Sequence, residues 1–123
     1  ASYIMEAALT NKPIQIGGNV LNTGHLITNF PEEACVEVPC MVNNTGIHPC
    51  RVGSLPLQCA AMNLMQINVH LLTIEAAHTR RRDCIYQAAM MDPHTSGELD
   101  IDTIVKLVDA LIEAHGTWLP AFH

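Results

Sequence analysis

From Cys35 to Asn43 the chain alternates apolar and polar side chains, breaks at Asn43-Asn44-Thr45-Gly46, and resumes as a second extended run from Ile47 to Val52. Successive strand side chains point to opposite faces, so this pattern predicts a β-hairpin with one buried face. Ile14–Leu21 reads as another strand, in which Gly17-Gly18 marks a bulge or a close backbone approach. After a turn at Asn22-Thr23-Gly24, Leu26–Phe30 is read as a further extended piece ending before Pro31. Tyr3–Leu9 has helical character and is ended by Thr10-Asn11-Lys12-Pro13.

Beyond Pro56 the period changes. Leu57, Ala60, Ala61, Leu64, Ile67, Asn68, Leu71, Ile74, Glu75 and His78 recur at three- and four-residue spacing, which predicts one face of a long helix with Ser54 as its N-cap. A second helix is predicted over Arg82–Met91, stopped by Asp92-Pro93, and a last one over Asp102–His115. Asp100 or Asp102 would cap the latter, and Gly116 would close it. Strands first and helices after define an α+β fold, with an antiparallel or mixed sheet of short strands followed by long helices. The 123 residues are expected to form a single domain.

Composition narrows the function classes. Hydrophobic residues make up 49% of the chain but aromatics only 4%, so the core must be aliphatic and rich in methionine. A formal charge of −6 argues against a nucleic-acid partner, which requires clustered cations. Arg80-Arg81-Arg82 is followed at once by Asp83 and reads as a helix-terminal charge group. No apolar run approaches the roughly 20 residues that span a bilayer, so no membrane partner is expected. An acid stands where a signal peptide would carry a basic region, and five cysteines are an odd number. Reduced thiols in a cytoplasmic protein are the simpler expectation.

Candidate chemistry is sparse. Cys35, Cys40, His48 and Cys50 lie close together in sequence, and Cys40, His48 and Cys50 could share a strand face, which leaves a zinc site open. No pair among them has knuckle spacing, and Cys35 would point the other way, so structural cysteines are the favoured reading. His70 and His78 are too far apart on one helix for the chelating arrangement of a metalloprotease. No nucleophile elbow, phosphate loop or dinucleotide fingerprint is present. Glu32, Glu33, Glu37 and Glu75 offer carboxylate pairs only in the sense that any acidic chain does.

Several strings carry more specific information. GGNVLNTG at Gly17–Gly24, LITNFP at Leu26–Pro31, VEVPCMV at Val36–Val42 and GIHPCRVGSLP at Gly46–Pro56 resemble the C-terminal region of glycoside hydrolase family 4, closest to its α-galactosidase branch. The same holds for Thr73–Thr95 and for Leu107–Pro120. The resemblance implies a fold like the C-terminal catalytic domain of lactate and malate dehydrogenases. It also implies a parent enzyme that uses NAD and a divalent metal, commonly manganese, to oxidise the sugar transiently before elimination and rehydration. In such an enzyme the NAD site, metal ligands and base lie upstream of the matching region. This chain alone is therefore expected to bind no cofactor or metal, to lack the N-terminal half as a partner, and to be inert by itself. Pocket closure and homo-oligomer contacts are the roles implied for it, with a non-catalytic assembly module as the alternative.

Asn22 and Asn29 are the polar residues that the resemblance places nearest a sugar pocket, against a bland reading as turn and strand-end residues. The family pattern runs Asn-x-Gly-x-Ile-x-Asn-Leu-Pro, whereas His25-Leu26 places one residue too many before Ile27, and Phe30 replaces Leu. A one-residue slip would invert a strand's faces unless a bulge absorbs it.

Overall fold

The alternation at Cys35–Asn43 does form the central strand. In the computed structural model, which describes residues 1–123, β1 (Ile14–Leu21), β2 (Cys35–Asn43) and β3 (Gly46–Pro49) make a three-stranded antiparallel sheet in the order β1-β2-β3. The register runs from Ile14 opposite Val42 to Leu21 opposite Cys35, without interruption. Val36, Val38, Cys40 and Val42 fill the buried face, while the intervening residues of β2 are exposed. Helix α1 (Ser2–Thr10) packs against β2 and β1 and ends at Asn11, which adopts a left-handed φ of 53°.

The unbroken register decides the meaning of Gly17-Gly18: there is no bulge, but a close approach. A Cβ on Gly18 would lie 2.7 Å from the Cys40 sulfur, and one on Gly17 would lie 2.8 Å from a Glu37 carboxylate oxygen. The hairpin tip closes through Asn43, whose Oδ1 accepts from the Thr45 amide at 2.8 Å, followed by Gly46 at φ 126°.

Leu26–Phe30 is not a strand, contrary to the expectation of a fourth extended segment. Only Ile27 makes a bridge, to Gly53, and the rest is turn. The physical reason is that its apolar residues do not alternate: Ile27 and Phe30 both plug the core of a folded loop.

The chain divides into two compact units, Ala1–Ala60 and Ala61–His123. Helices account for the second. These are α2 (Leu57–Thr79, whose first turn lies in the first unit), α3 (Arg82–Met91), α4 (Pro93–Glu98) and α5 (Ile101–His115), followed by a 3-10 turn at Gly116–Trp118. Ser54 does not cap α2; the Ala60 amide instead donates to the Pro56 carbonyl at 2.9 Å. Asp92-Pro93 stops α3 but at once restarts the chain as α4. Asp92 Oδ2 accepts from the Thr95 amide at 2.8 Å, and proline fits the first helical turn. Asp100, rather than Asp102, caps α5 by accepting from the Thr103 amide at 2.8 Å. Beyond α5 the chain returns to the α2–α3 elbow: the His123 amide donates to the Arg80 carbonyl at 2.9 Å, and the Arg82 amide donates to the His123 carbonyl at 2.8 Å.

These caps tie stability to pH. The Thr95 amide holds the Asp92 carboxyl below the usual carboxylate range, and the Thr103 amide does the same for Asp100. A folded-state value below the unfolded one stabilises above the unfolded value, about 3.9, and that stabilisation is lost as pH falls through the folded value. Thermal melts followed by circular dichroism should therefore show a falling midpoint below about pH 4. Asp92→Asn, which still accepts from Thr95 but does not titrate, should flatten that acid limb; an unchanged limb would rule out a contribution from this cap.

Candidate functional site

The polar residues singled out from sequence meet in the loop between β1 and β2 and in the segment entering α2. Asn22 is 0% exposed. Its Nδ2 donates to the carbonyls of Ile27 (3.0 Å), Phe30 (3.0 Å) and Pro31 (3.1 Å), and its Oδ1 accepts from the Ile27 amide at 2.8 Å. Its own backbone carbonyl accepts from the His25 amide at 2.9 Å. One side chain thus satisfies the Ile27 amide and the Phe30 carbonyl, which an irregular buried segment would otherwise leave without partners, and adds a second donor to the carbonyls of Ile27 and Pro31.

Asn29 makes the second anchor. Its Nδ2 donates to the Leu55 carbonyl and its Oδ1 accepts from the Leu55 amide, both at 3.0 Å, so a single amide pairs with both backbone groups of one residue. Beside it the Thr28 amide donates to the Gly53 carbonyl at 3.0 Å, and the Val52 amide donates to the Leu26 carbonyl at 2.8 Å. The loop is thereby fixed to the chain just ahead of α2.

The loop's tip turns through left-handed backbone. Gly24 and His25 take φ values of 72° and 53°, and Glu32 Oε1 accepts from the Gly24 amide at 2.7 Å. Because this segment is not a strand, no face is inverted, and Asn22 and Asn29 keep separate anchoring roles. The side chains left exposed on the loop are Thr23, His25, Thr28, Glu32 and Glu33, of which Glu32 is engaged with the Gly24 amide. Sequence reading passed over His25 and Thr28; the departure from the family pattern at His25 was the signal that could have drawn attention to them.

The cysteine and histidine cluster does not assemble. Cys40 is buried with Val38 and Val42, and its thiol lies 3.5 Å from the Val38 carbonyl. His48 pairs with Met41 on the opposite, exposed face, and Cys50 lies beyond β3. The shared face expected for Cys40, His48 and Cys50 is thus corrected by the register, in which Cys40 pairs with Pro49. No group of three His, Cys, Asp or Glu side chains is placed to hold a metal ion anywhere in the chain. Glu37 leans over Gly17 on the exposed sheet face, and Glu32 is engaged with the loop.

In the second unit Arg81 and Arg82 are paired. Arg81 bonds Asp83, while Arg82 reaches Asp109 at 2.7 Å and the Tyr86 hydroxyl at 2.9 Å, lying over the Tyr86 ring. The Tyr86 hydroxyl donates to the same Asp109 carboxylate, which holds Asp109 low and pushes the tyrosine up. An apolar recess of ≈ 380 Å³ lies nearby, bounded by Ala76, Ile85, Ala89, Val108, Leu111 and Phe122 among others. No helix is long and apolar enough to cross a membrane.

A sheet with a pinned loop and a helical unit make the chain α+β, with no cluster of metal ligands. The Family 4 glycosyl hydrolase C-terminal domain matches residues 1–95. The alpha-galactosidase of Bacillus subtilis (strain 168) is 54% identical over 121 residues, which cover 98% of this chain and 28% of that protein. The alpha-galactosidase of Rhizobium meliloti (strain 1021) is 33% identical over 122 residues, 99% of this chain and 25% of the relative. Among solved structures, a 6-phospho-alpha-glucosidase from gut microorganisms in complex with NAD and Mn2+ has the same fold, with a TM-score of 0.86 at 22% identity. That match covers 99% of this chain and 27% of the other. The chain belongs to the family 4 glycosyl hydrolases, within their C-terminal domain, and spans about a quarter of the length of these relatives.

Proposed function

We propose that this chain is the C-terminal part of an NAD- and manganese-dependent glycosidase of the α-galactosidase type. The observation that carries this reading is the 54% identity to the Bacillus subtilis alpha-galactosidase over 121 residues. The His, Cys, Asp and Glu side chains of this chain do not group to fit a metal, so no chemical step is assigned to them. Their part is to shape and close the sugar pocket. Asn22 and Asn29 act in it by fixing the loop, while the exposed Thr23, His25 and Thr28 are the side chains that the fixed loop presents. The reaction itself proceeds on the preceding part of the polypeptide, in the cytoplasm, in an enzyme that assembles from more than one copy.

A second reading, a non-catalytic assembly module, draws support from the apolar residues Tyr3, Met5, Leu9 and Leu57, all largely exposed. Turnover separates the two. The isolated chain, given NAD, manganese and an aryl α-galactoside, is expected to give none. A chimera in which this chain replaces the matching 28% of the Bacillus subtilis enzyme is expected to be active under the same conditions. Activity from the isolated chain, or a well-folded but inert chimera, would sink the glycosidase reading.

A further inference from the structure

Two acidic side chains stand next to each other in the loop between β1 and β2, and only one of them has a partner. The Ala34 amide donates to the Pro31 carbonyl at 3.2 Å, closing a turn whose two central residues are Glu32 and Glu33. Both are exposed. Glu32 Oε1 reaches back to accept from the Gly24 amide at 2.7 Å, whereas Glu33 makes no hydrogen bond. A carboxylate acceptor makes the first bond stronger than the neutral ones around it.

What this bond holds is uncommon backbone. Gly24 and His25 take φ values of 72° and 53° in succession. Glycine adopts that region freely, but histidine does so only where its surroundings fix it. The other non-glycine residues with positive φ, Asn11 and Arg80, directly follow α1 and α2, where a left-handed residue is an ordinary way to end a helix. His25 ends no helix. Its amide donates to the Asn22 carbonyl at 2.9 Å, and the Leu26 carbonyl accepts from the Val52 and Gly53 amides at 2.8 and 3.1 Å. Between these points Glu32 is the one side chain that grips the tip. The His25 imidazole and the Thr23 hydroxyl are exposed there without partners in the chain, and each can donate and accept a hydrogen bond, as sugar hydroxyls require.

We propose that Glu32 is a positioning residue for sugar binding, whose carboxylate holds the loop tip so that Thr23 and His25 meet the hydroxyls of the sugar in one orientation. The inference rests on the reading that this loop belongs to the sugar pocket of a family 4 glycosidase. Asn22 and Asn29 already fix the ends of the loop, so the fold does not depend on Glu32. What the carboxylate adds is order at the tip, and a binding loop ordered in advance loses less freedom when the ligand arrives. Glu33, its neighbour in the same turn and equal in charge, is a built-in control.

The chimera described above carries the test. Glu32→Ala should raise KM for an aryl α-galactoside roughly three- to tenfold and leave kcat within about twofold, the signature of lost binding rather than lost chemistry. Hydrogen exchange at the Gly24 amide should quicken by roughly an order of magnitude in the same variant, with an unchanged melting temperature. Glu32→Gln, whose side-chain oxygen still accepts from Gly24, should recover most of the KM, and Glu33→Ala should match the unsubstituted chimera. An active chimera whose KM ignores Glu32→Ala would overturn the proposal. So would an equal effect of Glu33→Ala, since the charge of the turn and not the bond would then be the cause. Unchanged exchange at Gly24 in Glu32→Ala would show that the carboxylate does not hold the tip. A well-folded chimera that is inert before any substitution removes the glycosidase reading, and this role with it.

Discussion

Replacing Asn22 with Ala should destabilise the sheet unit by about 2–6 kcal/mol, a sizeable share of the ~5–15 kcal/mol that holds an ordinary domain together. The reason is the number of groups left behind rather than the one removed. The Ile27 amide and the Phe30 carbonyl lose their partner, in a segment where Ile27 and Phe30 are themselves buried, while the Ile27 and Pro31 carbonyls keep only the Phe30 and Ala34 amides. Each buried polar group without a partner costs about 1–3 kcal/mol. Asn22→Asp is expected to be worse still near neutral pH, because a carboxylate would face carbonyl oxygens with no proton to offer. Acidification should then partly rescue that variant, in the opposite sense to the capping aspartates, since the neutral acid can donate again. Urea denaturation of the variants at two pH values checks both statements. Wild-type stability in Asn22→Ala would mean that the loop holds its shape without this amide.

The second large effect is expected at Gly18. Alanine usually stabilises a strand relative to glycine, because it restricts the unfolded chain. At Gly18 the sign should reverse, since the added Cβ would lie 2.7 Å from the Cys40 sulfur, in a face where Cys40 is 0% exposed. Overpacking of this kind costs about 1–3 kcal/mol. Gly17→Ala meets a Glu37 oxygen at a similar 2.8 Å, but that atom ends a flexible side chain on the exposed face and can swing away. The Gly17 variant should therefore be close to neutral. Combining Gly18→Ala with Cys40→Ala should recover much of the loss, giving a favourable coupling energy in a double-mutant cycle. Strict additivity of the two changes would show that the contact with sulfur is not the cause.

What could be read from sequence followed the strength of periodic patterns. Val36, Val38, Cys40 and Val42 alternate without a break, and the strand formed as expected, carrying its hairpin partner with it. Leu26–Phe30 failed because side-chain hydrogen bonding decided its conformation. The single amide of Asn22 gathers backbone groups up to Pro31, and nothing in a hydropathy pattern records that. The face of His48 was misjudged for a related reason, since the face each residue takes depends on the partner strand's register as well as on its own alternation. The candidate site was legible only through resemblance: Asn22 and Asn29 could be named, but their roles as anchors came from the distances.

The two asparagine anchors separate the length of the loop from its attachment. Asn22 fixes one end and Asn29 ties the other to Leu55, while the left-handed pair at Gly24 and His25 makes the turn between them. Residues can thus be gained or lost at the tip without re-registering β1 or shifting the entry to α2. A segment built this way can change its reach and outward chemistry by small insertions while the fold beneath stays constant, a form of modularity that would suit a family whose members process different sugars.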